Sequence, residues 1–382
     1  MGRNARLVLC AKTARTFCYG FLGVLFPVYV TRLGLGPGEL GLAVTLTLLS
    51  SAVTTYLVRW PAERYGVRTA LVLGSGLIAL SAGLFMVAHS PWIVVLAAMV
   101  GNLAVGTGET GPFLALEQVV VARDASRAQL TWVLSFYNLA GYAASALGAS
   151  LVGHGAVSPR PLFGLFMASA AVQIVAYGLM RPTPPAARPG AAASAPSRAL
   201  VRRLAALFAL DSLAGGFVLQ SLIAYWFYAR FGAGLPDLGW IFFGAQMLSG
   251  LSLVLAARVA PRLGLVNTMV FSHLFSNFLL IGVALAPTLG LAVACLLARH
   301  LLSQMDVPTR QTFLMLAVED HEREGAASLA NTSRTLAQSM SPTLAGWVMQ
   351  GVGLGAPIFI GSALKIVCDV LLYAAVRKVE TR

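Results

Sequence analysis

Arg299, Ser303, Asp306 and Arg310 recur at i, i+4, i+7 and i+11, a spacing that lays one polar stripe down a single helical face. Two readings of the stripe stay open. As a cavity wall, Asp306 changes protonation or pairs with a solute. As a structural pair, Asp306 and Arg310, one turn on, hold the end of the helix. Asn331, Arg334, Gln338 and Ser341 form a second stripe. An arginine cannot be neutralised in a protein, so Arg334 demands an anion, either a protein carboxylate or a solute. Arg334 and Arg299 are therefore solute-binding candidates. Asn102, Gly106 and Glu109 form a third set at i, i+4 and i+7. A mid-span carboxylate such as Glu109 suits proton coupling, which requires a group protonated on one side of a barrier and ionised on the other. A fixed bridge to a base such as Arg15 is its alternative. Asp211 is a further coupling candidate, with a bridge to Lys12 or Arg15 as its competing role. Lys365 and Asp369, at i and i+4, read most simply as a self-neutralising pair on a peripheral helix. His273 and His300 lack ligand spacing and read as satisfied or interfacial side chains.

Cys10, Cys18, Cys295 and Cys368 all fall in apolar runs without metal-type spacing. Neither a disulfide framework nor a zinc or other metal site is indicated, and no cofactor motif is present. No Ser/His/Asp constellation is assembled either, so an enzyme is the least expected class.

These polar residues are embedded in a chain of 382 residues that is 58% hydrophobic and only 11% charged, with a mean hydropathy of +0.78. A soluble domain is about a quarter charged, so this is membrane composition. A helix needs about 20 mostly apolar residues to cross the hydrocarbon core. Twelve candidates are visible, at 7–31, 38–59, 69–88, 91–116, 128–152, 161–180, 203–229, 237–258, 266–287, 289–313, 326–350 and 356–376. The stretch 181–200, rich in Pro, Ala and Arg, reads as a flexible linker. The expected fold is an all-α membrane protein of twelve transmembrane helices. It has an N-terminal six-helix bundle over 1–180, a cytoplasmic linker over 181–200 and a C-terminal six-helix bundle over 201–382.

Net charge is +13. Nearly all Lys and Arg lie in segments that share one side of the membrane, the opposite side keeping only Arg32, Arg160 and Arg230. The positive-inside rule then places both termini in the cytoplasm, and the basic balance reports orientation rather than a nucleic-acid partner. The first span opens with Arg3 and Arg6 but carries Arg15 and lacks a convincing cleavage site, so it is expected to be a retained helix. Tyr225, Trp226, Phe227 and Tyr228 read as an interfacial aromatic belt.

The chain also repeats itself. At a shift of 198 residues, Arg32, Glu39 and Gly41 fall on Arg230, Asp237 and Gly239, and Arg64 and Gly66 fall on Arg262 and Gly264. At a shift of 196, Pro112, Asp124 and Arg127 fall on Pro308, Asp320 and Arg323. So long a period, with both copies made of apolar spans, implies two equivalent membrane bundles enclosing a midplane site. The copies diverge inside the spans, where Thr13 becomes Asp211, Asn138 becomes Arg334 and Tyr142 becomes Gln338.

The loop Arg59-Trp60-Pro61-Ala62-Glu63-Arg64-Tyr65-Gly66-Val67-Arg68 is similar to the signature G-x-x-x-D-R-x-G-R-R/K between helices 2 and 3 of the major facilitator superfamily. Glu63 stands in place of the Asp, and Arg64, Gly66 and Arg68 are kept. Asn102 through Gly108 resembles the family's helix-4 pattern R-x-x-x-G-x-G with Asn for Arg, while helix 5 lacks the Gly-Pro of many proton-coupled exporters. Over essentially its whole length the chain looks like a member of that superfamily, of the efflux or antiporter type.

The resemblance implies gating by Glu63, Arg64, Gly66 and Arg68. It pairs Glu117 with Arg64 or Arg127, places Arg310 near a gate, and gives a helix-11 Arg such as Arg334 a locking role. It also implies a cavity lined by helices 1 and 7, to which Tyr19, Phe26, Gln220 and Tyr225 contribute with Gln246, Asn138, Tyr142 and Gln338. The expected function is alternating-access, proton-coupled export of a small organic solute by a monomer in the lipid bilayer of a bacterial cytoplasmic membrane. An uncoupled or uptake transporter of a small metabolite, including an anion, is the first alternative. A transport-inactive membrane sensor or scaffold is the second.

Overall fold

The structure, a computed structural model, describes residues 2–106, 111–124, 130–155, 158–182, 195–317 and 323–376. Among them the chain forms only helices: α1 (Arg3–Arg32), α2 (Pro37–Leu57), α3 (Arg59–Tyr65), α4 (Val67–Val87), α5 (Pro91–Val100), α6 (Pro112–Arg123), α7 (Leu130–Gly153) and α8 (Pro159–Gly178), followed by α9 (Ala195–Gly216), α10 (Gln220–Phe231), α11 (Leu235–Leu263), α12 (Leu265–Leu285), α13 (Leu289–Ser303), α14 (Asp306–Ala317), α15 (Arg323–Gly351) and α16 (Ala356–Val376). They follow the twelve expected spans in order, and the fold is all-α.

The polarity of the helices is inverted relative to a soluble protein. On α4, Leu73, Leu77 and Leu80 are exposed while Ser75 and Ser81 are fully buried. On α12, Phe271, Phe275 and Phe278 are exposed while His273, Ser276 and Asn277 are buried. Water would reward the opposite arrangement, whereas lipid accepts the apolar face and drives polar groups to find partners inside. Among the described residues, eight helical segments are long and apolar enough to cross a membrane on their own.

Three expected spans are interrupted. The fourth stops at Val100 and resumes at Pro112, across Asn102 at φ 50° and Gly111 at φ 106°. The seventh breaks after Gly216, and the tenth breaks at Gln304 and Met305. Pro112 opens α6 and Pro308 lies in the first turn of α14, where a missing N–H leaves no helical bond unmade. The repeated prolines thus mark helix restarts. The tenth-span break also corrects the continuous stripe expected from Arg299 to Arg310: its first two residues end α13 and its last two begin α14.

Other parts of the repeat recur as local geometry. Glu39 accepts from the Gly36 amide at 2.9 Å, and Asp237 accepts from the Gly234 amide at 3.0 Å, each closing the first turn of its helix. Gly66 and Gly264 both take φ above +80°, at 87° and 84°, where a side chain is strained.

Two compact units divide the chain. One contains residues 1–187 and 220–247, the other residues 188–219 and 248–382. In the first unit α1 is buried along most of its length. A Cβ on Gly20 would collide with the Ser145 backbone, and one on Gly148 with the Phe17 carbonyl, so α1 and α7 meet backbone to backbone. Ser221 donates its amide and hydroxyl to the Val105 carbonyl at 3.1 and 2.9 Å. Trp240 packs on His154 with ring centroids 4.8 Å apart. Tyr225, Trp226 and Phe227 are buried here, which corrects the expected interfacial belt: their rings fill the interior of this unit rather than meeting headgroups.

In the second unit α9 lies against α15. Gly216 admits the Gln338 carbonyl, and the Ser341 hydroxyl donates to the Leu213 carbonyl. Leu204, Phe208, Met269, Val270, Phe313, Ala330 and Leu372 form an apolar core from α9, α12, α14, α15 and α16.

Candidate functional site

Asp211 projects from α9 into the second unit and is shared by three neighbours. Lys365 of α16 donates to its Oδ1 at 2.9 Å, Arg310 of α14 approaches its Oδ2 at 3.4 Å, and His273 of α12 lies 3.9 Å away. Arg310 also pairs with Asp306 at 3.1 Å. Asp369 of α16 accepts from His273 Nδ1 at 2.8 Å and from the Asn277 amide at 3.0 Å. Lys365 Nζ stands 3.3 Å from His273 Nε2. An ammonium can only donate, so Nε2 accepts and the ring hydrogen sits on Nδ1, facing Asp369.

The result is a closed chain of donors and acceptors linking α9, α12, α14 and α16. It borders a small pocket lined by Asp211, His273, Asp306, Arg310 and Asp369 with Cys368 and apolar side chains. Every carboxylate in it has a cation or a strong donor, as burial in low dielectric requires.

Candidate ligand atoms of Asp211, His273 and Asp306 lie within 4.8 Å of one another. A divalent ion would have to displace Lys365 and Arg310 from these same carboxylates, and the donor set does not favour that.

The first unit has its own hub. Arg15 of α1 pairs with Glu117 of α6 at 2.9 Å, with neither side chain exposed. Tyr137 donates to Glu117 at 2.5 Å, and Tyr177 donates to its other oxygen. Arg15 donates to Tyr177 at 2.8 Å and to Gln173 at 3.3 Å, and stacks over Phe113 at 4.2 Å. Lys12 lies 3.8 Å over the Tyr137 ring. At a shift of 196, Gln173 and Tyr177 fall on Asp369 and Tyr373. The sixth helix of each half therefore supplies one wall of a buried polar hub.

Several expected partners differ. Glu117 is bound to Arg15 rather than to Arg64, because it lies deep in the unit while Arg64 is exposed beside Trp60 and Tyr65. Glu63 is also exposed, Arg68 half-buried and Gly66 buried. Asp211 takes Lys365 and Arg310 in place of Lys12 or Arg15. Lys365 and Asp369 do not neutralise each other within α16; they reach α9 and α12. Helical spacing reports neighbours on one helix and says nothing of what faces it, which is why His273 and both α16 residues were missed. Their one available signal was two charges in an apolar helix.

Arg334 donates from Nε to the Ser212 hydroxyl at 3.0 Å, and Gln338, one turn on, faces Gly215. Arg299 is half-buried, its Nε without a hydrogen-bond partner among the described residues. Gln246 donates to Gln220 at 3.0 Å, and Tyr19 donates to the Gly101 carbonyl at 3.0 Å, all within the first unit. Asn138 and Tyr142 are half-buried on α7. Glu109 and Arg127 lie outside the described residues, as does the Asn331 side chain.

Residues 8–342 match the model of the Major Facilitator Superfamily. The chain belongs to the major facilitator superfamily. This transporter is 22% identical to YJR124C, an uncharacterized membrane protein of Saccharomyces cerevisiae, across 97% of the chain and 93% of the relative. Among solved structures it is similar to the nucleoside transporter NupG, with a TM-score of 0.77 at 13% identity over 98% of this chain and 100% of the other. A D-xylose–proton symporter gives a TM-score of 0.77 at 14% identity over 99% of both chains. The human organic anion transporter MFSD10 gives 0.69 at 14% identity over 97% and 99%. At these identities the likeness establishes the fold, and the transporter is an integral, multi-pass membrane protein of a family that moves small solutes.

Proposed function

We propose that this transporter couples the movement of a small organic solute to protons by alternating access, with Asp211 as the coupling carboxylate. The carrying observation is the sharing of Asp211 between Lys365, Arg310 and His273 on three other helices. Such a carboxylate can hand its cations to neighbouring groups when helices shift. Asp306 and Asp369 stand ready to take them, and Asp211 left without a cation in low dielectric then binds a proton. Protonation and helix movement are thereby linked, as coupling requires.

A proton moved across about 100 mV gains roughly 2.3 kcal/mol, enough for about fiftyfold concentration of a neutral solute. Export is the direction we favour, from the chain's broad resemblance to efflux members of the superfamily rather than from the exporter motifs, which it lacks.

The test starts from a thermal-shift screen of metabolites on the purified protein, followed by flux of each hit in proteoliposomes with and without an imposed pH gradient. Gradient-driven accumulation that is lost in Asp211→Asn supports the reading. Equal flux in both conditions identifies an uncoupled facilitator instead.

A further inference from the structure

Among the described residues in the membrane-spanning part of the second unit, the fixed charges do not balance. Arg299, Arg310, Arg334 and Lys365 face three carboxylates, Asp211, Asp306 and Asp369. The geometry shows where the excess falls. Arg310 and Lys365 hold Asp211 and Asp306 within salt-bridge distance, and Asp369 is taken by His273 and Asn277.

Arg334 has no carboxylate within that distance among the described residues. Its one hydrogen bond there runs from Nε to a neutral hydroxyl, leaving both Nη groups without an acceptor. The nearby Arg310 guanidinium repels it, and Asp211 and Asp306, both held by other cations, attract it only from beyond salt-bridge distance. A half-buried guanidinium in low dielectric, with its two parallel donors unoccupied, is built for a planar oxyanion. The Gln338 side chain, one turn along α15 and on the same α9-facing side, offers a further amide.

We infer that the transported solute carries a carboxylate, held bidentately by the Nη groups of Arg334. The solute anion neutralises the second unit's excess cation. An empty site is then the electrostatically strained state, and binding relieves the repulsion between Arg334 and Arg310. This rests on the transport reading above and narrows it to a class of substrate.

The experiment is thermal unfolding of the purified transporter in neutral detergent with matched probes: benzoate against benzamide, nicotinate against nicotinamide, hexanoate against hexanamide. At least one carboxylate should raise the melting temperature by about 2 °C or more at a concentration where its amide does nothing. Arg334→Gln should abolish that difference, while Arg334→Lys should keep part of it. Without any probe, Arg334→Gln should melt no lower than the native chain, since it removes a cation with no salt bridge among the described residues; a merely structural arginine would give the opposite result. Acids and amides acting alike across the panel overturn the inference, and so does a carboxylate shift that survives in Arg334→Gln. The two readings can fail separately. Carboxylate binding at Arg334 that no pH gradient drives leaves the anion site standing and removes proton coupling. Gradient-driven flux of a neutral solute, with every carboxylate inert, does the reverse.

Discussion

Glu117 gathers Arg15, Tyr137 and Tyr177 around one carboxylate that has no exposed surface. Replacing it with Gln strands the Arg15 guanidinium in low dielectric, a loss of about 3–5 kcal/mol for a buried pair broken on one side. Glu117→Gln is therefore expected to lower the melting temperature sharply, and Arg15→Met with Glu117→Leu to recover most of it. Asp211 is expected to behave differently. Lys365 and Arg310 have alternative acceptors in Asp369 and Asp306 nearby, so Asp211→Asn should retain its fold and lose coupling. At this scale the sequence displayed the buried acids Asp211, Asp306 and Glu117, but the partners it suggested for Asp211 and Glu117 are not the ones they take. Charge spacing along a helix predicts i, i+4 contacts such as Asp306 with Arg310, which the structure contains. Contacts made across helices, as between Lys365 and Asp211, depend on which faces meet, and one helix's spacing does not encode that.

Helix contacts set the next level. Gly148 admits the Phe17 carbonyl, so a side chain there meets backbone that cannot rotate away. Gly148→Val should separate α1 from α7 and give little folded protein, as read by yield and monodisperse elution. Gly66→Ala and Gly264→Ala force a side chain to φ 87° and 84°, and each should lower stability by about 1–3 kcal/mol in unfolding measurements. The span boundaries were legible because apolar length is a strong signal, and the turns because Gly66 and Gly264 repeat. The breaks in the fourth and tenth spans were not. The i, i+4, i+7 spacing runs straight through Gln304 and Met305, and Pro308 alone does not distinguish a restart from a kink.

At the scale of the molecule, two copies of one architecture carry unlike charges. The N-terminal hub is a closed Arg15–Glu117 pair walled by tyrosines, whereas the C-terminal hub is an extended network with several cations sharing several acids. On the coupling proposed above, the first stays put and the second rearranges. That asymmetry was partly visible in the repeat, where Thr13 becomes Asp211 and Asn138 becomes Arg334. The measurement that bears most directly on it is solute movement in proteoliposomes carrying native protein or Asp211→Asn, with and without an imposed pH gradient, beside exchange at zero gradient. The native chain should accumulate solute only with the gradient. Asp211→Asn should lose at least tenfold of that accumulation yet keep exchange, because a neutral side chain cannot carry the proton but leaves the path intact. Undiminished gradient-driven accumulation in Asp211→Asn would contradict the assignment.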